Sequence, residues 1–116
     1  MQYTVKEFSE IVGVSKRAVH YYDQIGLLKP SFINHSGYRI YTELEVTNLL
    51  IILAYKEAGY NLNEIRILVE LSGEERLESL NKVSKILHKR DNELSSLSIK
   101  LRSMIDDLGG KNGKEN

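Results

Sequence analysis

Apolar and polar positions follow a helical spacing at the start of the chain. Thr4, with Glu7 three residues later, has the signature of a capping box, and an apolar stripe follows it over residues 5–12. Gly13 then predicts a helix stop, and Ser15 predicts the cap of a second helix. Two short helices this close together predict a helix-turn-helix, although many small domains use that packing without binding DNA.

The second helix, residues 15–25, has two different faces. Ala18, Val19, Tyr22 and Ile25 share an apolar face. The opposite face has cations, rings with polar tips and an amide, but no carboxylate, a composition that suits phosphates and base edges. Its members are Arg17, His20, Tyr21 and Gln24, with Lys16 near the helix start. The alternative is a surface helix whose composition arose by chance.

Residues 33–41 predict two short strands joined by a tight turn. Gly37 can supply the positive φ that such a turn requires. The strand after it alternates, so that if Ile40 faces inward, Arg39 and Tyr41 face the other way. A hairpin with a cation beside its turn, just after a short exposed helix, is typical of a wing, and residues 33–41 are called the wing below.

The order of these motifs resembles the MerR family of transcription regulators. The motifs stand here as VHYYD at 19–23, GLLKP at 26–30 and GYRIY at 37–41. His20 departs from the family pattern, in which arginine is the commoner residue at that position. A neutral imidazole would weaken a phosphate contact there, so His20 is the less secure of the predicted contacts.

A second pair of helices follows the wing. Thr42 with Glu45, and Asn61 with Glu64, have capping-box spacing. The first of the two helices is apolar nearly all round, which predicts that it fills the centre of the domain. The resemblance covers residues 3–71 and implies that the turn between these helices contacts the DNA backbone. The residues at that turn are Lys56, Tyr60 and Asn61. For the last two, capping and packing remain an equal alternative.

The last long segment has the period of a coiled coil. Its sites alternate by three and four residues, and eight of the nine are apolar. They are Leu80, Val83, Leu87, Arg90, Leu94, Leu97, Leu101, Met104 and Leu108. Arg90 either fixes the register or partner choice of a helix pair, or its side chain extends to the rim of the apolar seam. The resemblance implies pairing with a second copy in an antiparallel sense, and the alternative is a helix folded back on its own domain.

Composition excludes several classes of function. The chain has 16 basic and 16 acidic residues, but residues 15–41 contain four cations against one carboxylate, a local net charge of +3. It has no cysteine, which excludes disulfides and thiolate metal sites. The three histidines are scattered and lack metal-ligand spacing, and the sequence has no phosphate loop. We therefore find no candidate catalytic residues and expect no cofactor. The start lacks a signal-peptide pattern, so we expect a cytoplasmic protein with no membrane association.

These patterns together predict a mostly α fold. Residues 1–72 should form a winged helix-turn-helix domain with a second helix pair, 73–108 a dimerisation helix and 109–116 a flexible tail without an effector domain. The predicted DNA contacts are Ser15, Lys16, Arg17, His20, Tyr21, Tyr38, Arg39, Lys56, Tyr60 and Asn61. The resemblance implies a homodimeric regulator that bends and untwists an over-long promoter spacer for RNA polymerase. The alternatives are a small DNA-bending protein of the excisionase kind and a protein–protein module.

Overall fold

A computed structural model describes the backbone of residues 1–115 and the side chains of residues 1–107. The elements are β1 (Gln2–Tyr3), α1 (Val5–Val12), α2 (Lys16–Gln24), β2 (Phe32–Ile33), β3 (Arg39–Thr42), α3 (Glu43–Glu57), α4 (Leu62–Leu68) and α5 (Gly73–Glu115). This order confirms the predicted fold: a winged helix-turn-helix, a second helix pair and one long helix. No helix among the described residues is long and apolar enough to cross a lipid bilayer.

The helices begin where the capping signals predicted. Thr4 Oγ1 accepts from the Glu7 backbone N–H at 3.2 Å, and the Glu7 carboxylate accepts from the Thr4 N–H at 2.9 Å. Hydrogen bonds to Thr4 hold the pKa of Glu7 below its usual value. At the other end of α1, Gly13 adopts a φ of 82°, which closes the helix in the left-handed conformation. The sharp turn between α1 and α2 therefore follows from local sequence.

The wing belongs to a three-stranded antiparallel sheet, with β3 in the middle and β1 and β2 at its edges. The side chain of Asn34 organises the turn, because its Oδ1 accepts from the N–H groups of Ser36 and Tyr38, each at 3.0 Å. Gly37 has the positive φ that the turn requires, at 84°. The strand β1, which pairs Gln2 with Thr42, is too short to leave a periodic signal in the sequence.

The central strand alternates as predicted, but both of its faces are covered. Ile40 and Tyr41 point to opposite faces, yet Ile40 is 9% exposed and Tyr41 is fully buried. The Tyr41 ring stacks on Phe8 of α1 with centroids 4.3 Å apart. Tyr41 is therefore a core residue, which alternation along the strand does not reveal.

Helix α3 lies at the centre of the domain, as its apolar composition predicted. Leu49, Ile52 and Tyr55 are buried on it, and Val19 of α2 and Ile65 of α4 complete the same core. The Glu45 carboxylate accepts from the backbone N–H and the hydroxyl of Thr42, at 2.6 and 2.8 Å, which fixes the passage from β3 into α3. The wing and both helix pairs thus share one core.

The first part of α5 packs on its own domain. Val83 is 3% exposed within the core, Leu80 and Leu87 pack against it, and the Ser79 and Tyr55 hydroxyls are 2.8 Å apart. Residues 91–107 are all exposed. The backbone is helical as far as Glu115, where the sequence predicted a flexible tail at 109–116; Asn116 lies outside the described residues.

Candidate nucleic-acid interface

Helix α2 presents one exposed face of cations and rings. Lys16, Arg17, His20 and Tyr21 are exposed, whereas Tyr22 is 4% exposed in the core, as the spacing predicted. The Ser15 hydroxyl accepts from the Ala18 N–H at 3.0 Å and so is used as the helix cap. The exposed face carries hydrogen-bond donors of the kind that contact base edges and phosphates.

The tip of the wing projects beside this helix with exposed aromatic and apolar side chains. Tyr38 is 68% exposed and Ile33 is 60% exposed, although each flanks a rigid turn. Tyr38 is thus accessible to a partner, and its contact with a phosphate stays a prediction.

Asp23 joins the wing to the end of α2. Arg39 Nε donates to Asp23 Oδ2 at 2.6 Å, and Lys29 Nζ lies 3.4 Å from Asp23 Oδ1. Burial alone would raise the pKa of this carboxyl, which is 13% exposed, but the bonds from Arg39 and Lys29 outweigh burial and lower that pKa. The carboxylate therefore stays charged and couples the two elements.

The Asp23 pairing uses only part of the Arg39 side chain that is predicted to contact DNA. Arg39 Nε is bound to Asp23, and the side chain is 41% exposed. The guanidinium still has donors to offer, since it carries five N–H groups. Asp23 cancels one of the two neighbouring cations, so the Arg39–Asp23–Lys29 group has a net charge of +1.

The turn between α3 and α4 contains the remaining predicted contacts. Lys56 is exposed near the end of α3. Tyr60 packs edge-on against Tyr55, with centroids 5.7 Å apart, and Asn61 caps α4 by accepting from the Glu64 N–H at 2.8 Å. Tyr60 and Asn61 therefore have the packing and capping roles that the sequence left as the alternative, and Lys56 is the exposed cation of the turn.

Sequence reasoning missed Arg66, which connects the second helix pair to the first. Its guanidinium, on α4, donates to the carbonyl oxygen of Ile25 at the end of α2. A carbonyl at that position has no partner within its own helix. Arg66 lies on the polar face of a short helix, where it has the pattern of any solvated cation, so no local signal marks it.

The predicted seam of α5 is divided between two environments. Leu80, Val83 and Leu87 face the core of their own domain. Arg90 also differs from its predicted place: it donates through Nη1 to the Glu57 carbonyl and through Nη2 to the Ala58 carbonyl, the latter at 3.2 Å. The exposed members are Leu94, Leu97, Leu101 and Met104, at 66, 62, 54 and 60% exposure. The Leu108 side chain lies outside the described part.

Comparison with known proteins gives one family and several close folds. The family model described as MerR HTH family regulatory protein matches residues 3–71. The HTH-type transcriptional activator mta of Bacillus subtilis (strain 168) is 37% identical over 97 residues, covering 84% of this chain and 38% of that protein. The chain spans about two fifths of the length of mta and of another curated relative, the HTH-type transcriptional activator TipA of Streptomyces coelicolor, at 38% and 42%.

Two solved structures agree with this match. The N-terminus of MtaN, the Bacillus subtilis multidrug transporter activator, is 34% identical with a TM-score of 0.61, over 89% of this chain and 97% of that one. HiNmlR, a MerR family regulator lacking the sensor domain and solved bound to promoter DNA, is 26% identical with a TM-score of 0.73, over 94% and 92%. The similarity thus extends beyond the winged domain into α5.

Proposed function

The chain belongs to the MerR family of helix-turn-helix regulatory proteins, and on that premise we propose that it is a sequence-specific, DNA-binding transcription regulator that acts as a homodimer. The observation that supports this most strongly is the exposed cationic and aromatic face of α2 beside the wing. No acid interrupts that face, and the one nearby acid, Asp23, is paired with cations.

The proposed contacts form two groups, one to base edges in the major groove and one to backbone phosphates. Arg17, with Lys16 and Tyr21, faces the major groove, where an arginine can read a guanine edge with two hydrogen bonds. His20 is their neighbour on the same exposed face. Tyr38 and Arg39 on the wing hold a flanking phosphate, and Lys56 holds another at the α3–α4 turn. Ser15, Tyr60 and Asn61 shape the backbone near these contacts.

Arginine substitutions separate base reading from phosphate binding. Arg17→Ala is expected to relax base preference at one position of the bound sequence, at a cost of about 1–3 kcal/mol. Arg39→Ala is expected to weaken binding to every duplex nearly equally and to flatten the dependence of log affinity on log salt by about one unit. Binding isotherms on selected and scrambled duplexes at several salt concentrations measure both effects.

Asp23 supplies the control for Arg39. Removing Arg39 also leaves Asp23 with only the more distant Lys29, so part of the lost affinity comes from an exposed negative charge. The double variant Asp23→Asn/Arg39→Ala should recover that part while keeping the flatter salt dependence. An Arg39→Ala protein with unchanged affinity and salt dependence would show that the wing does not bind phosphate.

Dimerisation is proposed through the exposed stripe on α5. Leu94, Leu97, Leu101 and Met104 follow the spacing of a coiled coil and are each more than half exposed. A contiguous apolar stripe of this kind marks a protein interaction site. The stripe also argues against the excisionase-like alternative, for which no long dimer helix is expected.

The pair is proposed to be antiparallel, the sense that the family resemblance implies. The exposed stripe is symmetric about residue 99, so that an antiparallel partner sets Leu94 opposite Met104 and Leu97 opposite Leu101.

The proposed mechanism is activation by distortion of DNA. Two copies of α2 carried by one rigid dimer have a fixed separation, and a duplex whose half-sites do not match that separation must bend or untwist. Such distortion would realign the two elements of an over-long promoter spacer for RNA polymerase. The relative mta is named an activator, which supports this direction of the effect.

Spacer length tests this mechanism. Shortening the spacer of the target promoter in single-base-pair steps is expected to raise basal transcription and to abolish the effect of the protein, because the promoter elements then align without distortion. The measurement is transcription in vitro with purified protein and polymerase, alongside a DNA-bending assay. If activation persists unchanged at every spacer length, or if the bound DNA is straight, the distortion mechanism is wrong. The protein then acts by simple recruitment or by repression.

A further inference from the structure

The predicted coiled-coil sites on α5 include one long cation, Arg90, whose guanidinium contacts the end of α3. It donates to the carbonyls of Glu57 and Ala58. Those carbonyls belong to the last turn of α3, where no intrahelical N–H remains to bind them and where the helix dipole is negative. The planar guanidinium can serve two carbonyls at once, which an ammonium cannot do with the same geometry.

Among the described residues, Arg90 is also the last residue of α5 that is hydrogen-bonded to the winged domain. Ser79, whose hydroxyl lies 2.8 Å from that of Tyr55, and the buried Val83 come before it. Every residue from 91 to 107 is exposed. About 16 Å of helix separates Ser79 from Arg90, at about 1.5 Å per residue, so these two bonds fix a direction as well as a position.

The anchor lies beside a proposed DNA contact. The α3 end that Arg90 binds contains Lys56 and leads directly into the α3–α4 turn. Tyr60 of that turn packs on Tyr55, whose hydroxyl lies beside that of Ser79. A change in the angle of α5 would therefore be transmitted to this turn and to the whole winged domain. The centre of the exposed stripe, residue 99, lies about 14 Å beyond Arg90 along the helix.

We infer that Arg90 is a positioning residue that sets the angle between the DNA-binding domain and the dimer helix, and thereby the separation of the two α2 helices in the dimer. The inference rests on the proposed function. Within the described residues the Arg90 guanidinium bonds only to carbonyls of α3, so its removal should leave dimerisation and half-site binding intact. Its loss should instead weaken the preference of the dimer for one half-site spacing.

The test uses a duplex selected from random DNA by the wild-type protein, with its half-sites then moved apart or together in single-base-pair steps. Arg90→Leu should lower affinity at the best spacing by on the order of threefold to thirtyfold, the range of a typical coupling energy. The variant should also show a weaker dependence of affinity on half-site spacing. Its affinity for a duplex that carries one half-site should be unchanged. Arg90→Lys should give an intermediate profile, because it keeps the charge and loses the two-carbonyl geometry.

Lys89→Leu is the matched control, since Lys89 is an exposed neighbouring cation. It should keep the wild-type spacing profile. The inference is overturned if Arg90→Leu keeps that profile, or if it loses half-site and two-site affinity equally, which would show only damage to the domain. A wild-type protein that sediments as a monomer or selects no duplex would overturn the proposed function itself, and the inference with it.

Discussion

Leu94→Asp is expected to convert the dimer into a monomer and to remove tight binding to a two-site operator. Leu94 is 66% exposed in the single chain and would be buried in the proposed antiparallel pair. An unpaired charge in such an interface costs about 3–5 kcal/mol, which lowers the association constant by roughly a hundredfold to several thousandfold. Sedimentation and binding to duplexes with one or two half-sites measure the two effects.

Ile99→Asp is the matched control for this substitution. Ile99 is 70% exposed on the same helix, but it lies two residues from Leu97 and Leu101 and therefore faces away from the stripe. It should leave the dimer and the operator affinity unchanged. Equal behaviour of the two aspartate variants, or a wild-type protein that is monomeric in concentrated solution, would remove the proposed interface.

Phe8→Ala should cost the domain a large part of its stability. Phe8 and Tyr41 are fully buried, and their rings stack between α1 and the central strand of the wing. Truncating a buried phenylalanine typically costs about 3–5 kcal/mol, against a total of about 5–15 kcal/mol for a domain. The free energy of unfolding from urea denaturation measures this loss, and a lower midpoint with an unchanged slope is expected.

Ile11→Ala serves as the comparison for Phe8→Ala. Ile11 lies on the same helix and is 50% exposed, so its truncation removes less buried surface. Because Phe8 is fully buried and takes no part in the exposed face of α2, the folded fraction of Phe8→Ala should bind DNA normally below its unfolding transition. Equal losses of stability in the two variants would contradict the packing of the wing on α1.

Local sequence determined where most elements begin and end. The Thr4–Glu7 box, Gly13 and the Asn61 cap act within one helical turn, so their effect does not depend on the rest of the fold. The exposed face of α2 and the turn at Gly37 are also local, because they depend only on helical or hairpin geometry. The motifs at 19–23, 26–30 and 37–41 carried the family resemblance, and the match over residues 3–71 confirmed it.

Tertiary structure alone decided which charged side chains are free and which hold the domain together. Arg39, Arg66 and Arg90 each bind an acceptor between 16 and 41 residues away in the chain. Their partners are one carboxylate and the exposed carbonyls at helix ends, which no sequence pattern marks. The polar faces on which they lie have the composition of solvated surface.

The period of α5 likewise left its partner open. A spacing of 3.5 residues shows that one side of a helix is covered, but it is the same whether the cover is its own domain or a second copy. The folded domain covers the stripe as far as Val83 and Leu87, and the stripe from Leu94 onward extends beyond the reach of a core centred on α3. Periodicity therefore identified the seam, and only the size and position of the folded domain decided where along it the intrachain contact ends.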